Sequence, residues 1–386
     1  MLITEGDNVG VLAMVRGLAR AGYEPWVAAA RRGAPAARSR SAAGTAIVPD
    51  PAESVSAFGD AIARLAATIE PVAILPGGEL GMLALADMAE AGAPIAARLA
   101  VGSRASVHRA TDKGALAELA AGAGLEVPPT ATLTADEAAH GPLPVALPAV
   151  VKPLRSVTAT PSGFAACSVR RAGSRAEVVD ALRALPGERG LVQPYLQGEL
   201  YGVGGVSWKG EIVAAVHQRA VRTWPAGLGE MAYAVAVARD PELERCIARL
   251  LTDLRWSGMF QLQFLETAEG RLLIDLNPRV YGSLSLALAA GQNLAAIWVD
   301  LLRGRSARPG RYRAGVSFRN EFLDAKALLA RPGPTRLRAL TRSVTESATT
   351  YAFFESGDPM PLVSLGPTLA VKLRSRAWLA GHAKTG

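Results

Sequence analysis

The chain has 386 residues, half of them apolar and few of them aromatic, with a net charge of +8. That composition fits a globular protein of two or three domains and argues against large-scale disorder. Two cysteines in unrelated segments, Cys167 and Cys246, and four scattered histidines leave neither a disulfide framework nor a zinc site. No Gly-x-Ser-x-Gly elbow occurs, which disfavours hydrolysis by a serine nucleophile. The arginines are spread along the chain and not interleaved with aromatics, so no nucleic-acid partner is expected, while the basic excess suits phosphorylated or carboxylate ligands. The longest apolar stretch, Ser283 to Leu302, is broken by Gly291, Gln292, Asn293 and Asp300. With no signal-peptide pattern at Met1, the expectation is a cytoplasmic protein without stable membrane association, for which a homo-oligomer is compatible.

In chain order, Val9 to Ala21 reads as a helix that stops at Gly22, Pro25 to Ala30 as a strand, Ala57 to Thr68 as a second helix and Val72 to Leu75 as a short buried strand. Such alternation predicts a parallel, Rossmann-like sheet, although no Gly-x-Gly-x-x-Gly follows the first strand to hold a dinucleotide. Pro76-Gly-Gly-Glu79 reads first as a strand-to-helix turn, at the end of the sheet where ligands bind. A helix is expected over Thr111 to Ala120 with Thr111 as its N-cap. Pro148 to Pro153 is a short β run carrying Lys152, followed by the small and hydroxyl residues Ser156 to Gly163. Leu191 to Glu199 is a strand leading into a connector, and two further strands between Tyr201 and Val216 join at Trp208-Lys-Gly210. An antiparallel α+β region thus reaches about Arg308. Beyond it, Val316 to Asp324 and Phe353 to Pro361 bracket a basic stretch, and Leu369 to Leu379 is a basic amphipathic tail. The fold class expected is α/β and α+β, with domains at 1–105, 106–308 and a C-terminal α/β extension at 309–386.

The chemistry concentrates on one hairpin. In Arg271-Leu-Leu-Ile-Asp-Leu-Asn-Pro-Arg279 the period-2 alternation puts Asp275 and Asn277 on one face and Ile274 and Leu276 on the other, with Arg279 just beyond the strand. The preceding run, Gly258 to Glu266, sets Phe260, Leu262 and Phe264 against Met259, Gln261 and Gln263. A three-residue turn at Ala268-Glu-Gly270 would pair Thr267 with Arg271, Gln263 with Asp275 and Gln261 with Asn277. Oxygen donors so placed suit Mg²⁺, and an adjacent arginine suits phosphate oxygens. Lysine is rare here, with only six, so Lys152 at the end of an apolar strand asks for a reason.

The ordered series Lys113, Lys152, Gln193 to Glu199, Gln263, Asp275-x-Asn277-Pro-x-Arg279 and Tyr281-Gly-Ser-Leu284 resembles the ATP-grasp superfamily, and within it the carboxylate-amine ligases, over about residues 1 to 308. The resemblance implies a Rossmann-like pre-ATP-grasp domain, an ATP-grasp domain and a small C-terminal segment. It also implies an ATP-dependent, ADP-forming ligase that makes an acyl phosphate from a small-molecule acid and couples it to an amine, such as an amino acid. Lys113 and Lys152 would take the phosphates, the Pro194 carbonyl and Leu196 N–H would read adenine beside Gln193, and Glu199 would take the ribose. Gln263, Asp275 and Asn277 would hold Mg²⁺, with Mn²⁺ able to substitute; Gln263 stands where the family usually carries an acid. Arg279, with Arg219 as a second clamp, would meet the transferring phosphoryl group, aided by the Gly282 and Ser283 amides. Arg222 faces either substrate or solvent. The Pro76–Glu79 turn, Tyr201 and the segment from His217 to Gly229 would choose the substrates. A bicarbonate- or thiol-using enzyme and a non-catalytic ATP-binding module are the alternatives.

Overall fold

Short apolar runs punctuated by helices fold as the alternation predicts, into a parallel sheet at the N-terminus. The computed structural model describes residues 1–159, 164–166, 169–227, 229–331 and 348–365. Strands β1 (Leu2–Ile3), β2 (Trp26–Ala29), β3 (Gly44–Ile47) and β4 (Ile74–Leu75) are all parallel, in the order β3-β2-β1-β4. Leu2, Phe58, Ile62 and Ile74 are fully buried in its core. Helix Val9–Arg20 is buried along most of its length because it is held between this sheet and the helices after residue 283. Gly10 permits that approach: a Cβ there would stand 2.4 Å from the Tyr281 carbonyl oxygen.

The expected helix start at Thr111 is corrected. Thr111 is the last residue of helix Arg104–Thr111, its hydroxyl donating back to the Val107 carbonyl at 3.0 Å, and the next helix is Leu116–Ala123. Asp112-Lys113-Gly114 is the turn between them, where the Asp112 side chain accepts from the Gly114 N–H at 2.8 Å. Lys113 therefore sits on a turn and not on a helix face. The second sheet uses β5 (Ala131–Thr134), β6 (Ala149–Pro153) and, past the small hairpin β7 (Val157–Ala159) and β8 (Phe164–Ala166), β9 (Arg170–Ala172) and β10 (Arg189–Pro194). It is antiparallel, in the order β5-β10-β6-β9.

The third sheet has seven strands. These are β11 (Glu199–Trp208), β12 (Glu211–Trp224), β13 (Glu230–Val237), β14 (Gly258–Thr267), β15 (Gly270–Asn277), β16 (Ser317–Arg319) and β17 (Thr350–Tyr351), ordered β15-β14-β11-β12-β13-β16-β17. Lys209 and Gly210 join β11 to β12 with φ of 54° and 90°, the left-handed pair that a type I′ turn requires. Among the described residues beyond 308, β16 and β17 extend the sheet of the preceding region through β13. The tail from Leu369 to Leu379, Cys167 and residues 160–163 of the segment from Ser156 to Gly163 lie outside the described residues. No helix among the described residues is long and apolar enough to cross a membrane.

Residues 348–365 are held by buried charge. The Arg16 guanidinium donates to Asp358 at 3.0 Å and to the Phe353 carbonyl at 2.8 Å, Ser39 donates to the same Asp358 carboxylate at 2.6 Å, and Arg16 and Asp358 are each 4% exposed. Removing one partner of a buried pair leaves the other charge stranded. Asp358→Ala is therefore expected to cost roughly 3 kcal/mol in chemical denaturation, whereas a loss below about 1 kcal/mol would mean that the segment does not brace the fold.

Candidate active site

The site grows from the register of β14 and β15. Gln263 pairs with Asp275 and Gln261 with Asn277, as the pattern predicts, but the turn is one residue shorter than expected and pairs Thr267 with Gly270. An extra residue, Ile274, between Leu273 opposite Phe264 and Asp275 opposite Gln263 restores the phase as a β-bulge. The bulge corrects one expectation. Leu273 is 1% exposed in the core, and Ile274 is half-buried and faces the cavities beside Lys113 and Lys152. Leu276, Phe260, Leu262 and Phe264 share the apolar core as predicted.

Two cavities, of about 250 and 340 Å³, meet at this hairpin and share Gln263 and Asp275 in their walls. Asp275 is the centre of charge. The Lys113 ammonium donates to its Oδ1, and the Asn277 amide donates to its Oδ2 at 3.3 Å. Burial works to raise the Asp275 carboxyl, but Lys113, Lys152 and Arg279 outweigh it and hold the group below the usual carboxylate range. Lys152 lies on β6, and its ammonium reaches the Ile274 carbonyl at 3.3 Å. Burial above all, and then Lys113, lower its pKa to about 8 against the opposing pull of Asp275. Arg279 bonds the Asn277 side-chain oxygen at 3.0 Å and Glu79 at 3.4 Å, so it ties this hairpin to the Pro76–Glu79 turn of the first sheet.

The remaining expected residues fall around these. Gln193 is buried, donates to Thr130 at 2.8 Å, and lines a small gap with Lys113, Lys152 and Ile274. Pro194 ends β10, Leu196 is in the connector that follows, and Glu199 opens β11 at the wall of the larger cavity. Arg219 meets only Glu199 among them and lines neither cavity. Its partner across the ladder is Tyr201, and it pairs with Glu266 at 3.2 Å and Glu199 at 3.6 Å on the face of the sheet away from Gln263. Arg222 lines the larger cavity, and a bulge between Ala220 and Arg222 sets it opposite Tyr233, two residues from Val235, the partner of Arg219; Asp324 holds its guanidinium at 2.6 Å and the Tyr233 ring lies beneath it. A simple period-2 count from His217 puts Arg219 and Arg222 on opposite faces and could not have found that shift.

Three groups escaped sequence reasoning. The amide nitrogen of Gln218, whose oxygen accepts from the Ser283 hydroxyl at 2.9 Å, is buried without a partner among the described residues. Glu230 lines the smaller cavity with Asn320 and Ser283. Glu5 packs its carboxyl against Gly78 and Gly81 from a left-handed backbone (φ 53°), and burial raises its pKa to about 7 despite nearby backbone N–H groups and Arg279. A raised carboxyl means that the folded state holds the proton longer, so this stabilisation is complete below pH 4.5 and is lost as pH rises through 7. Glu5→Gln should thus melt several degrees above the parent at pH 8 and no higher at pH 4.5; equal gains at both would show that the carboxyl is not buried in charge-hostile surroundings.

One carboxylate and two amide oxygens on a common face suit a hard cation that takes its other ligands from phosphate oxygens. No group of three or more His, Cys, Asp or Glu side chains able to hold a metal by itself occurs among the described residues.

Residues 188–321 match the family model described as ATP-grasp in the biosynthetic pathway with Ter operon. No curated protein sequence matches significantly. Among solved structures, the L-amino acid ligase from Bacillus licheniformis is 16% identical, with a TM-score of 0.57 over 80% of this chain and 77% of that one. N5-carboxyaminoimidazole synthetase from Staphylococcus aureus is 11% identical, with a TM-score of 0.61 over 82% and 80%. Phosphoribosylglycinamide synthetase from Anaerococcus prevotii is 12% identical, with a TM-score of 0.54 over 79% and 75%. At these identities the shared property is the fold.

Proposed function

We propose that this chain, whose residues 188–321 match an ATP-grasp family model, is an ATP-dependent ligase that activates a carboxylic acid as an acyl phosphate, releases ADP and joins the acyl group to an amine. The observation that carries this reading is the convergence of Lys113, Lys152 and Arg279, from three separate elements, on Asp275 at the junction of the two cavities. Cations brought together from different parts of a chain suit a polyanion, and the similar structures are those of a ligase and two synthetases.

In this reading Lys113 and Lys152 neutralise the phosphates of ATP, so Lys113 exchanges Asp275 for a phosphate oxygen when the nucleotide binds. Adenine lies against the Pro194 carbonyl and Leu196 N–H beside Gln193, and Glu199 takes the ribose hydroxyls. Asp275, Gln263 and Asn277 would hold Mg²⁺, or Mn²⁺ in its place, which supplies charge neutralisation at the β- and γ-phosphates. Arg279 meets the γ-phosphate, and Arg222 takes the clamping role expected of Arg219. A carboxylate oxygen of the acid bonds to the γ-phosphorus as the bond to the β-phosphate oxygen breaks. The amine nitrogen then bonds to the acyl carbon, phosphate leaves with the C–O electron pair, and the nitrogen sheds its proton. No protein nucleophile is required, and the residues contribute positioning and charge. The segment is proposed to act in the cytoplasm on small molecules.

The test is ADP release from ATP with Mg²⁺, a panel of carboxylic acids and hydroxylamine, which intercepts an acyl phosphate as a hydroxamate. Acid-dependent ADP and hydroxamate in equal amounts are expected. AMP in place of ADP would contradict the acyl-phosphate route, and nucleotide binding without turnover would favour the non-catalytic module, a reading prompted by Gln263 standing in place of an acid.

A further inference from the structure

Charge around the two cavities is strongly one-sided. Lys113, Lys152, Arg222 and Arg279 supply four cations to the region, and the acids that meet them are engaged. Asp275 is bound by Lys113, and Glu199 stands 3.6 Å from Arg219. Just outside, Glu79 lies 3.4 Å from Arg279 and Asp324 lies 2.6 Å from Arg222. Glu230, the first residue of β13, differs from all of them. It is exposed into the smaller cavity, and no basic side chain among the described residues pairs with it.

Its direction is also defined. A Cβ built on Gly282 would stand 3.7 Å from the Glu230 Oε2, so the carboxylate lies across from the Tyr281-Gly282-Ser283 backbone, just past the strand that bears Asp275 and Asn277. Met231, Ser283 and Asn320 complete that end of the cavity, and the unpartnered Gln218 amide lies behind the wall, close to Met231. A lone carboxylate repels ATP and an acid substrate alike, so it does not serve the half of the cavity where these react. It attracts an ammonium ion.

We infer that Glu230 is the specificity-determining residue for the second substrate and that this substrate enters as a small ammonium compound, its charge held by the Glu230 carboxylate at the Met231 end of the cavity. This inference rests on the ligase reading above. The cations near Asp275 repel the same ammonium, so it is held away from the phosphates until the acyl group is formed, and its nitrogen gives a proton to water before it bonds to the acyl carbon. Amine selection and acid activation are thereby separated in space, with Glu230 acting on the first and Asp275 on the second.

The experiment compares Glu230→Gln and Glu230→Asp with the parent protein at pH 7.5, using the acids that support turnover. One arm supplies hydroxylamine, which is uncharged at that pH; the other supplies mixed amino acids and small diamines. Glu230→Gln is expected to raise KM for the ammonium substrates about tenfold or more, the loss typical of a hydrogen bond to a charged group, while hydroxamate formation and KM for ATP and acid stay within about twofold. Glu230→Asp should recover part of the loss. Unchanged ammonium KM in Glu230→Gln, or equal losses with hydroxylamine, would overturn the assignment. Failure of the ligase reading itself appears separately, as absence of hydroxamate with the parent protein.

Discussion

Asp275→Ala is expected to reduce ATP turnover by about a thousandfold, the scale seen when a single group aimed at transition-state charge is removed. Asp275 is the committed carboxylate between the two cavities, and it is the group around which Lys113, Lys152 and Arg279 are arranged. Its removal takes away the anionic ligand for a divalent cation and leaves two lysine ammonium groups facing each other across the gap. Nucleotide affinity should fall far less than turnover, because those lysines then have only the phosphates to pair with. Asp275→Asn separates shape from charge, since it keeps the side-chain volume and should lose nearly as much rate. Turnover within tenfold of the parent in either variant would remove Asp275 from the chemistry.

Lys152→Met is expected to weaken ATP binding by about a hundredfold, from the loss of a charge-assisted contact of up to roughly 3 kcal/mol, and at the same time to stabilise the folded protein. The two effects have opposite sign for one reason. Burial has already lowered the Lys152 pKa to about 8, which is a penalty of roughly 3 kcal/mol for keeping that charge in the folded state. With a folded pKa below that of the unfolded chain, the penalty is full below pH 8 and is relieved as pH rises toward 10.5. Methionine removes it without emptying the space. The variant should therefore gain several degrees of thermal stability at pH 7, with the gain shrinking at pH 9 to 10. Calorimetry checks both, and a variant that binds ATP normally or melts earlier would show Lys152 to be a structural lysine.

Much of this arrangement was legible in the sequence because it rests on periodicity. The parallel N-terminal sheet follows from alternating helix and strand signals, and the pairing of Gln263 with Asp275 follows from phase. That pairing is instructive, since a turn one residue shorter than expected and a bulge at Ile274 cancel and leave the polar pairs where the simpler count puts them. On β12 nothing cancels. The bulge near Val221 sets Arg222 opposite Tyr233, in phase with Val235 and its partner Arg219, where unbroken alternation would put the two arginines on opposite faces. Thr111 misleads for another reason. A threonine serves as well at a helix end, bonding its hydroxyl back to the preceding turn, as it does at a start. Glu5, Gln218 and Glu230 carry no local pattern at all; only their packing against residues distant in the chain distinguishes them.

The acyl-phosphate step is tested most directly with an acid labelled with ¹⁸O in its carboxylate, under conditions where ADP is released in the presence of an amine. Activation at the γ-phosphate transfers one labelled oxygen to inorganic phosphate in every turnover, because the acid oxygen that attacks phosphorus leaves with it. Mass spectrometry of the phosphate is expected to show one ¹⁸O atom per molecule and label-free ADP. Unlabelled phosphate formed together with amide would contradict the account, since ATP hydrolysis would then run beside the chemistry and not through it.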